Sequence, residues 1–258
     1  MKILVTNDDG IHAPGLWTMV AELKKVGQVT VVAPDREQSG VGTSVTLHHP
    51  LRIKRVKALL PQVEAYSIEG TPADSVILAL GTVLKDGVDL VASGINEGPN
   101  LGNDVFISGT VGAALQGYFY GLPSLAISVA GLDNPYFDTA ARLAGLLATM
   151  IRDSALSGKL LLNVNLPNLP PEEIKGIEIT RLGERSYADV VQEGHDGRRN
   201  YYWIVRGTPQ WHKNEGSDVW ALEQDRISIT PMGFNSASGS IRSLLQELSS
   251  KLLDALRA

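Results

Sequence analysis

At 258 residues the chain has room for one large domain or two small ones, and for a sizeable buried core. With 43 % apolar and 20 % charged residues it is of ordinary globular composition, and a net charge of −5 gives no basic field for a nucleic-acid polymer, although small phosphorylated ligands need only a local site. The absence of cysteine excludes disulfides, thiolate metal sites and cysteine nucleophiles.

Met1-Lys2 leads at once into Ile3-Leu4-Val5-Thr6, a short apolar run read as a buried strand. No signal-peptide h-region precedes it, and no run of about 18 apolar residues suggests a membrane span, so a cytoplasmic enzyme or binding protein is expected. The strand breaks into Asn7-Asp8-Asp9-Gly10, which supports two readings. Asp9-Gly10 is a turn signal. Two adjacent carboxylates at the end of a buried strand also repel each other and lose hydration, which a divalent cation with oxygen ligands would relieve. Leu16 to Val26 has helical spacing and stops at Gly27, and Gln28 to Ala33 is a second strand ended by Pro34-Asp35. Strand, helix and strand make a βαβ unit with parallel strands.

Asp35 to Ser44 is a polar, glycine-containing loop at the same sheet edge as Asp8 and Asp9, read either as solvated or as offering the Ser39 and Ser44 hydroxyls to a ligand. Val45 to Lys54 and Val63 to Ile68 read as strands of a hairpin. Thr71-Pro72 with Asp74 is a helix start with a near capping box. Val88 to Ser93 is a strand that opens into the loop Gly94 to Asp104, rich in glycine and asparagine. Ser108 then caps a helix beginning Gly109-Thr110, a start suited to anions. Neither a P-loop nor a dinucleotide fingerprint is present.

Pro123 to Ser128 is a strand, Tyr136 to Ile151 an amphipathic helix and Lys159 to Asn165 another strand. Thus residues 1–168 read as a Rossmann-like layered α/β/α core with about five parallel strands. Residues 169–258 read as additions to the same domain. They comprise a strand at Ile174 to Thr180 and an extended hairpin with a polar tip at 193–199 and aromatic arms (Tyr187, Tyr201, Tyr202, Trp203). A short helix at Ser217 to Leu222, a core-completing strand at Arg226 to Pro231 and a C-terminal helix striped by Ile241, Leu244, Leu245, Leu248, Leu252 and Leu253 follow. The hairpin serves either as an oligomer arm or as a surface hairpin on its own chain, and the last helix packs on its own core or on a neighbouring subunit.

Taken together, the motifs resemble the SurE (stationary-phase survival protein) family of 5′-nucleotidases. The resemblance rests on Asn7 to Gly15, Ala33 to Gly40, Gly70 to Val76, Ser93 to Asn100 with Gly102 and Ser108 to Val111, Leu162 to Pro167, and Asp225 to Pro231, in order over nearly the whole chain. It implies one divalent metal ion per subunit (Mg2+ or Mn2+), held by Asp8, Asp9, Ser39 and Asn96. It also implies hydrolysis of nucleoside monophosphates, with breadth toward 3′-nucleotides and polyphosphate, and a homodimer or homotetramer built with the hairpin and last helix. Ser75 and Ile107 depart from the family pattern, which often has cysteine and an aromatic residue there. In that frame Asp8 and Asp9 are the catalytic carboxylates, one of which also orients or deprotonates the attacking water. Asn96, Asn100, Ser108, Gly109 and Thr110 are the phosphate-binding residues. An aspartyl-phosphate route ranks lower, because such phosphatases use Asp-x-Asp. His12 is a weaker candidate for a general acid, Glu97 and Asp104 read as loop-ordering or solvated groups, and a nucleotide sensor without turnover is the rival function.

Overall fold

The computed structural model describes residues 1–156, 158–186, 190–205, 210–212, 214–233 and 238–257. Its centre is a nine-stranded sheet. The first strand, β1 (Lys2–Thr6), is flanked by β2 (Gln28–Pro34) and β5 (Leu90–Glu97), both parallel to it. Outward from β2 come β4 (Glu64–Ile68), parallel, and then β3 (Ile53–Val56), antiparallel. Outward from β5 come β6 (Ser124–Ala130) and β7 (Leu161–Pro167), both parallel. The far edge is completed by β13 (Arg226–Met232), antiparallel to β7, and β8 (Gly176–Ile179), parallel to β13.

The six parallel strands are the five expected plus β4. The expected strand from Val45 is shorter than predicted. Residues 45–52 lie outside any strand, because the Thr46 N–H and hydroxyl are drawn to the buried Asp74 carboxylate at 2.9 and 2.6 Å. Asp74 and Thr71 form the capping box at the start of α2 (Pro72–Leu78).

Apolar residues alternate across the sheet, so each strand serves two cores. Ile3, Val5, Leu90, Ala92, Leu162 and Val164 face α1 (Pro14–Leu23), α4 (Phe137–Arg152) and α6 (Ser238–Arg257). Leu4, Val32 and Val91 face the other way, toward α2 and α3 (Gly109–Phe119). Both faces are covered by helices, which is why the central strands read as continuous apolar runs. Along α6, Leu245, Leu252 and Leu256 are buried and Leu244, Leu248 and Leu253 half-buried. Arg242 on the same helix donates to the Thr180 and Ile179 carbonyls, so this helix packs on its own chain. The side chain of Ile241 lies outside the described residues.

Off the core stands the hairpin of β10 (Val190–His195) and β11 (Asn200–Val205), flanked in the chain by β9 (Glu184–Ser186) and β12 (Gln210–His212), which pair antiparallel with each other. Its turn is closed by Asp196, whose carboxylate accepts the Arg198 and Arg199 N–H groups at 2.8 Å. Tyr201, Tyr202, Trp203 and Ile204 are exposed along one arm, while Tyr187 lies outside the described residues. The last short helix, α5 (Asp218–Glu223), packs on β13 and β7 and is capped by Ser217, which accepts the Trp220 N–H.

Candidate active site

Parallel strands deliver their following loops to one edge of the sheet, and here the loops after β1, β2, β5 and β6 line one cavity, the last through Leu132. Beyond β1, Asn7 closes a turn by donating to the Gly10 carbonyl at 3.0 Å. Gly10 has φ +98°, which favours glycine, and its Cβ position is 3.2 Å from the Arg36 backbone. Turn and carboxylate pair therefore coexist, because Asn7 and Gly10 make the turn without using Asp8 or Asp9.

Asp8 is 4 % exposed, and one of its oxygens accepts the Thr110 hydroxyl. The start of α3 is set directly against it. A Cβ on Gly109 would lie 2.8 Å from Asp8 Cβ, so glycine permits this approach. Ser108 caps the helix by accepting the Val111 N–H at 3.1 Å. Burial raises the Asp8 pKa, opposed by the hydrogen bond from Thr110. The Asp9 pKa is pushed up to about 7, first by burial and then by the negative charges of Asp8, Glu97 and Glu37. Asp9 Oδ2 is buried and has no hydrogen-bond partner.

The loop after β2 is strapped across this site. The Gln38 N–H donates to the Asp8 carbonyl at 2.7 Å and the Gly42 N–H to the Ile107 carbonyl at 3.0 Å. Ser39 donates its hydroxyl to Glu37 at 2.7 Å, which leaves the hydroxyl oxygen able to act as a ligand. On β5 the register with β6 shifts between Ser93 and Asn96, across the cis Gly94-Ile95 peptide. Gly94 has φ +128° and a Cβ position 2.3 Å from the Ile127 carbonyl oxygen. Beyond the shift, Asn96 donates its Nδ2 to the Gly98 carbonyl at 2.7 Å, turning its Oδ1 the opposite way.

Asn100 is held on every side. Its Nδ2 donates to Ser128 Oγ at 2.9 Å, its N–H to Asn165 Oδ1 at 2.8 Å, and its carbonyl accepts Asn163 Nδ2 at 2.8 Å and Asn165 Nδ2 at 3.1 Å. Two residues on, the Gly102 N–H donates to the fully buried Asp218 at 2.8 Å. Asp218 also accepts the N–H groups of Gly183 and Val219, at 2.7 and 2.9 Å. Burial raises the Asp218 pKa, and these N–H groups pull it back down.

Between the loops lies a cavity of about 460 Å³ lined by Asp8, Ser39, Asn96, Asn100, Ser108 and Asp104, with Ile107 and Glu97 at its wall. Of the residues predicted from sequence, five line it. Asp9 does not, and Gly109 and Thr110 are turned to Asp8 instead. The exposed His12 also lies outside its lining. Among the described residues, no three or more His, Cys, Asp or Glu side chains converge on a metal position. Asp8, Asp9, Ser39 and Asn96 would offer a cation two carboxylates, a hydroxyl and an amide, and the unpartnered buried oxygen of Asp9 among negative neighbours is what a hard cation would satisfy.

Residues 3–189 match the family model described as Survival protein SurE. The chain belongs to this family. Curated relatives described as 5′-nucleotidase SurE include that of Dehalococcoides mccartyi (strain CBDB1), 48 % identical over 90 % of this chain and 88 % of the relative. Another, from Moorella thermoacetica, is 46 % identical over 98 % of this chain and 96 % of the relative. The crystal structure of the SurE protein from Aquifex aeolicus superposes with a TM-score of 0.77 at 38 % identity, covering 96 % of this chain and 99 % of that one.

Within this SurE chain, sequence reasoning missed the part played by five residues. Glu97 and Asp104 line the cavity rather than simply ordering its loop, Asp218 anchors that loop from more than a hundred residues away, and Asn163 and Asn165 clamp Asn100. A signal for the last pair was present. Two asparagines two apart in an apolar strand point to the same face, and buried amides require partners.

Proposed function

We propose that this chain is a metal-dependent 5′-nucleotidase, which hydrolyses nucleoside monophosphates to nucleoside and inorganic phosphate. The observation that carries this reading is the buried Asp8 next to the half-buried Asp9, one of whose oxygens is buried and unpartnered, beside a cavity that also presents the Ser39 hydroxyl and the Asn96 and Asn100 amides. The description of the relatives as 5′-nucleotidases agrees with that chemistry.

In this reading Asp8, Asp9, Ser39 and Asn96 hold one Mg2+ or Mn2+ per subunit, which supplies charge neutralisation and an acidified water when bound. Asn100 and Ser108 bind the non-bridging oxygens of the phosphate, near the positive end of α3. Gly109 and Thr110 act at the same helix start, where Thr110 also fixes the orientation of Asp8. One of the two carboxylates orients or deprotonates the water that attacks phosphorus as the bond to the ribose oxygen breaks. A breadth toward 3′-nucleotides and polyphosphate belongs to the same proposal.

Residues 1–168 are the catalytic core in this reading, and residues 169–258 complete the sheet and supply assembly elements. The exposed Tyr202, Trp203 and Ile204 on the hairpin favour its use in a homodimer or homotetramer. A cytoplasmic location is also proposed, and among the described residues no helix is long and apolar enough to cross a membrane.

The test is release of phosphate from AMP with Mn2+ or Mg2+. Activity abolished by EDTA and reduced at least 100-fold in Asp8→Asn or Asp9→Asn supports the reading, with the factor taken from roughly what electrostatic catalytic groups supply. Full metal-dependent activity in either variant overturns the assigned roles.

A further inference from the structure

We propose that the open cleft next to the phosphate cavity is a nucleoside subsite, with Tyr136 as its stacking platform. This rests on the nucleotidase reading and adds where the uncharged part of the substrate lies.

Glu97 and Leu132 line both cavities, so a molecule with its phosphate beside Asp8 and Asn100 can extend directly into the second. That cleft measures about 940 Å³, at the upper end of the roughly 300–1,000 Å³ usual for small-molecule sites. At its rim two large side chains are left in water, Leu132 at 76 % and Tyr136 at 47 % exposure. Flat apolar surface at the lip of an otherwise polar site suits the face of a base.

The polar lining points the same way. Glu97, Asp133 and Asp138 contribute carboxylates, and no Lys, Arg or His is among the lining residues. Carboxylates accept hydrogen bonds from ribose hydroxyls and exocyclic amines, and they repel a second phosphate. Within this cleft the chemistry thus favours the uncharged nucleoside part of a monophosphate over a second phosphate group.

The rim is also built rather than incidental. Asn168, just past the end of β7, accepts the Tyr136 N–H at 2.8 Å. Gly131 lies so close to that side chain that a Cβ would fall 2.4 Å from Asn168 Nδ2. Phe137, which opens α4, packs under Gly15 at the start of α1. The segment bearing Leu132 and Tyr136 is therefore tied to the sheet at one end and to two helices at the other.

Adenosine has no phosphate and its binding needs no catalysis, so equilibrium dialysis of adenosine tests the cleft by itself. Saturable binding that weakens roughly tenfold in Tyr136→Ala and is retained in Tyr136→Phe is expected, the size being that of a lost aromatic stack. In kinetics, the ratio of kcat/KM for AMP to that for p-nitrophenyl phosphate should fall by a similar factor in Tyr136→Ala. Absence of saturable adenosine binding, or binding and a kinetic ratio indifferent to Tyr136, overturns the subsite. Failure to release phosphate from either ester would instead defeat the nucleotidase reading, and the dialysis would still judge the cleft.

Discussion

Asn165 grips both ends of the Asn100 residue with one side chain, its Oδ1 accepting the Asn100 N–H at 2.8 Å and its Nδ2 donating to the Asn100 carbonyl at 3.1 Å. A loop rich in glycine has little rigidity of its own, so this clamp sets where the Asn100 side chain sits. Replacing Asn165 by Ala removes the partner of the buried Asn100 N–H and leaves the Asn100 carbonyl with Asn163 alone. Stability should fall by about 1–3 kcal/mol and kcat/KM for AMP by roughly 10- to 100-fold, as misplacement of a phosphate ligand by about 1 Å can cost. Urea unfolding and steady-state kinetics on the same protein check both.

Gly109→Ala tests the approach of α3 to Asp8. Helix propensity alone favours alanine by about 1 kcal/mol. The added methyl would nevertheless lie 2.8 Å from Asp8 Cβ and 3.1 Å from Pro72 Cγ, so Asp8 or the helix must move. Activity should drop roughly 100-fold while thermal stability changes little or falls modestly. A fully active Gly109→Ala enzyme would show that the contact has no catalytic importance.

Much of this was legible beforehand. Strands β1, β2, β5, β6 and β7 announce themselves as apolar runs because both their faces are buried, and Asp8, Ser39 and Asn100 fall on loops after them because parallel strands share a carboxyl end, whereas Asn96 sits on β5 itself, which runs on past Ser93 to Glu97. The Thr71–Asp74 capping box could be read from local spacing. The partners that come from afar could not be. Asp218 looks like an ordinary first-turn acid on α5, and only the pairing of β13 with β7 brings it to Gly102. The direction of Thr110, toward Asp8 and not into the cavity, depends on how α3 lies on the sheet.

Asp218→Asn exchanges an acceptor for a donor on one side of a fully buried site that receives three backbone N–H groups. At least one N–H would face an amide N–H. The expected cost is about 2–4 kcal/mol. Protection of the Gly102 amide from hydrogen exchange should fall with it, and normal protection in the variant would refute the anchor.

A pH dependence follows from Asp9. Its pKa is about 7 in the metal-free fold, against about 3.9 in an unfolded chain. The folded state therefore keeps a proton that the unfolded chain has lost, and stability falls as pH rises from about 4 through 7. In EDTA, Asp9→Asn should gain on the parent protein between pH 5 and pH 8, read as a widening difference in Tm. Protons and the cation compete for the same group, so apparent Mn2+ affinity should weaken below pH 7 by up to about tenfold per unit. A Tm difference independent of pH would contradict the assignment.

The antiparallel entry of β13 beside β7 also bears on how the enzyme matures during synthesis. When the first 168 residues have left the ribosome, all six parallel strands are available. Asp8, Ser39, Asn96 and the Asn163–Asn165 clamp are available too. Asp218 is not, so the stretch around Gly102 must wait some fifty residues more for its anchor. The nascent protein thus acquires its sheet before its finished cavity wall, and a chain cut off before α5 would carry Asp8 and Asp9 beside a β5–α3 loop that lacks its anchor at Gly102.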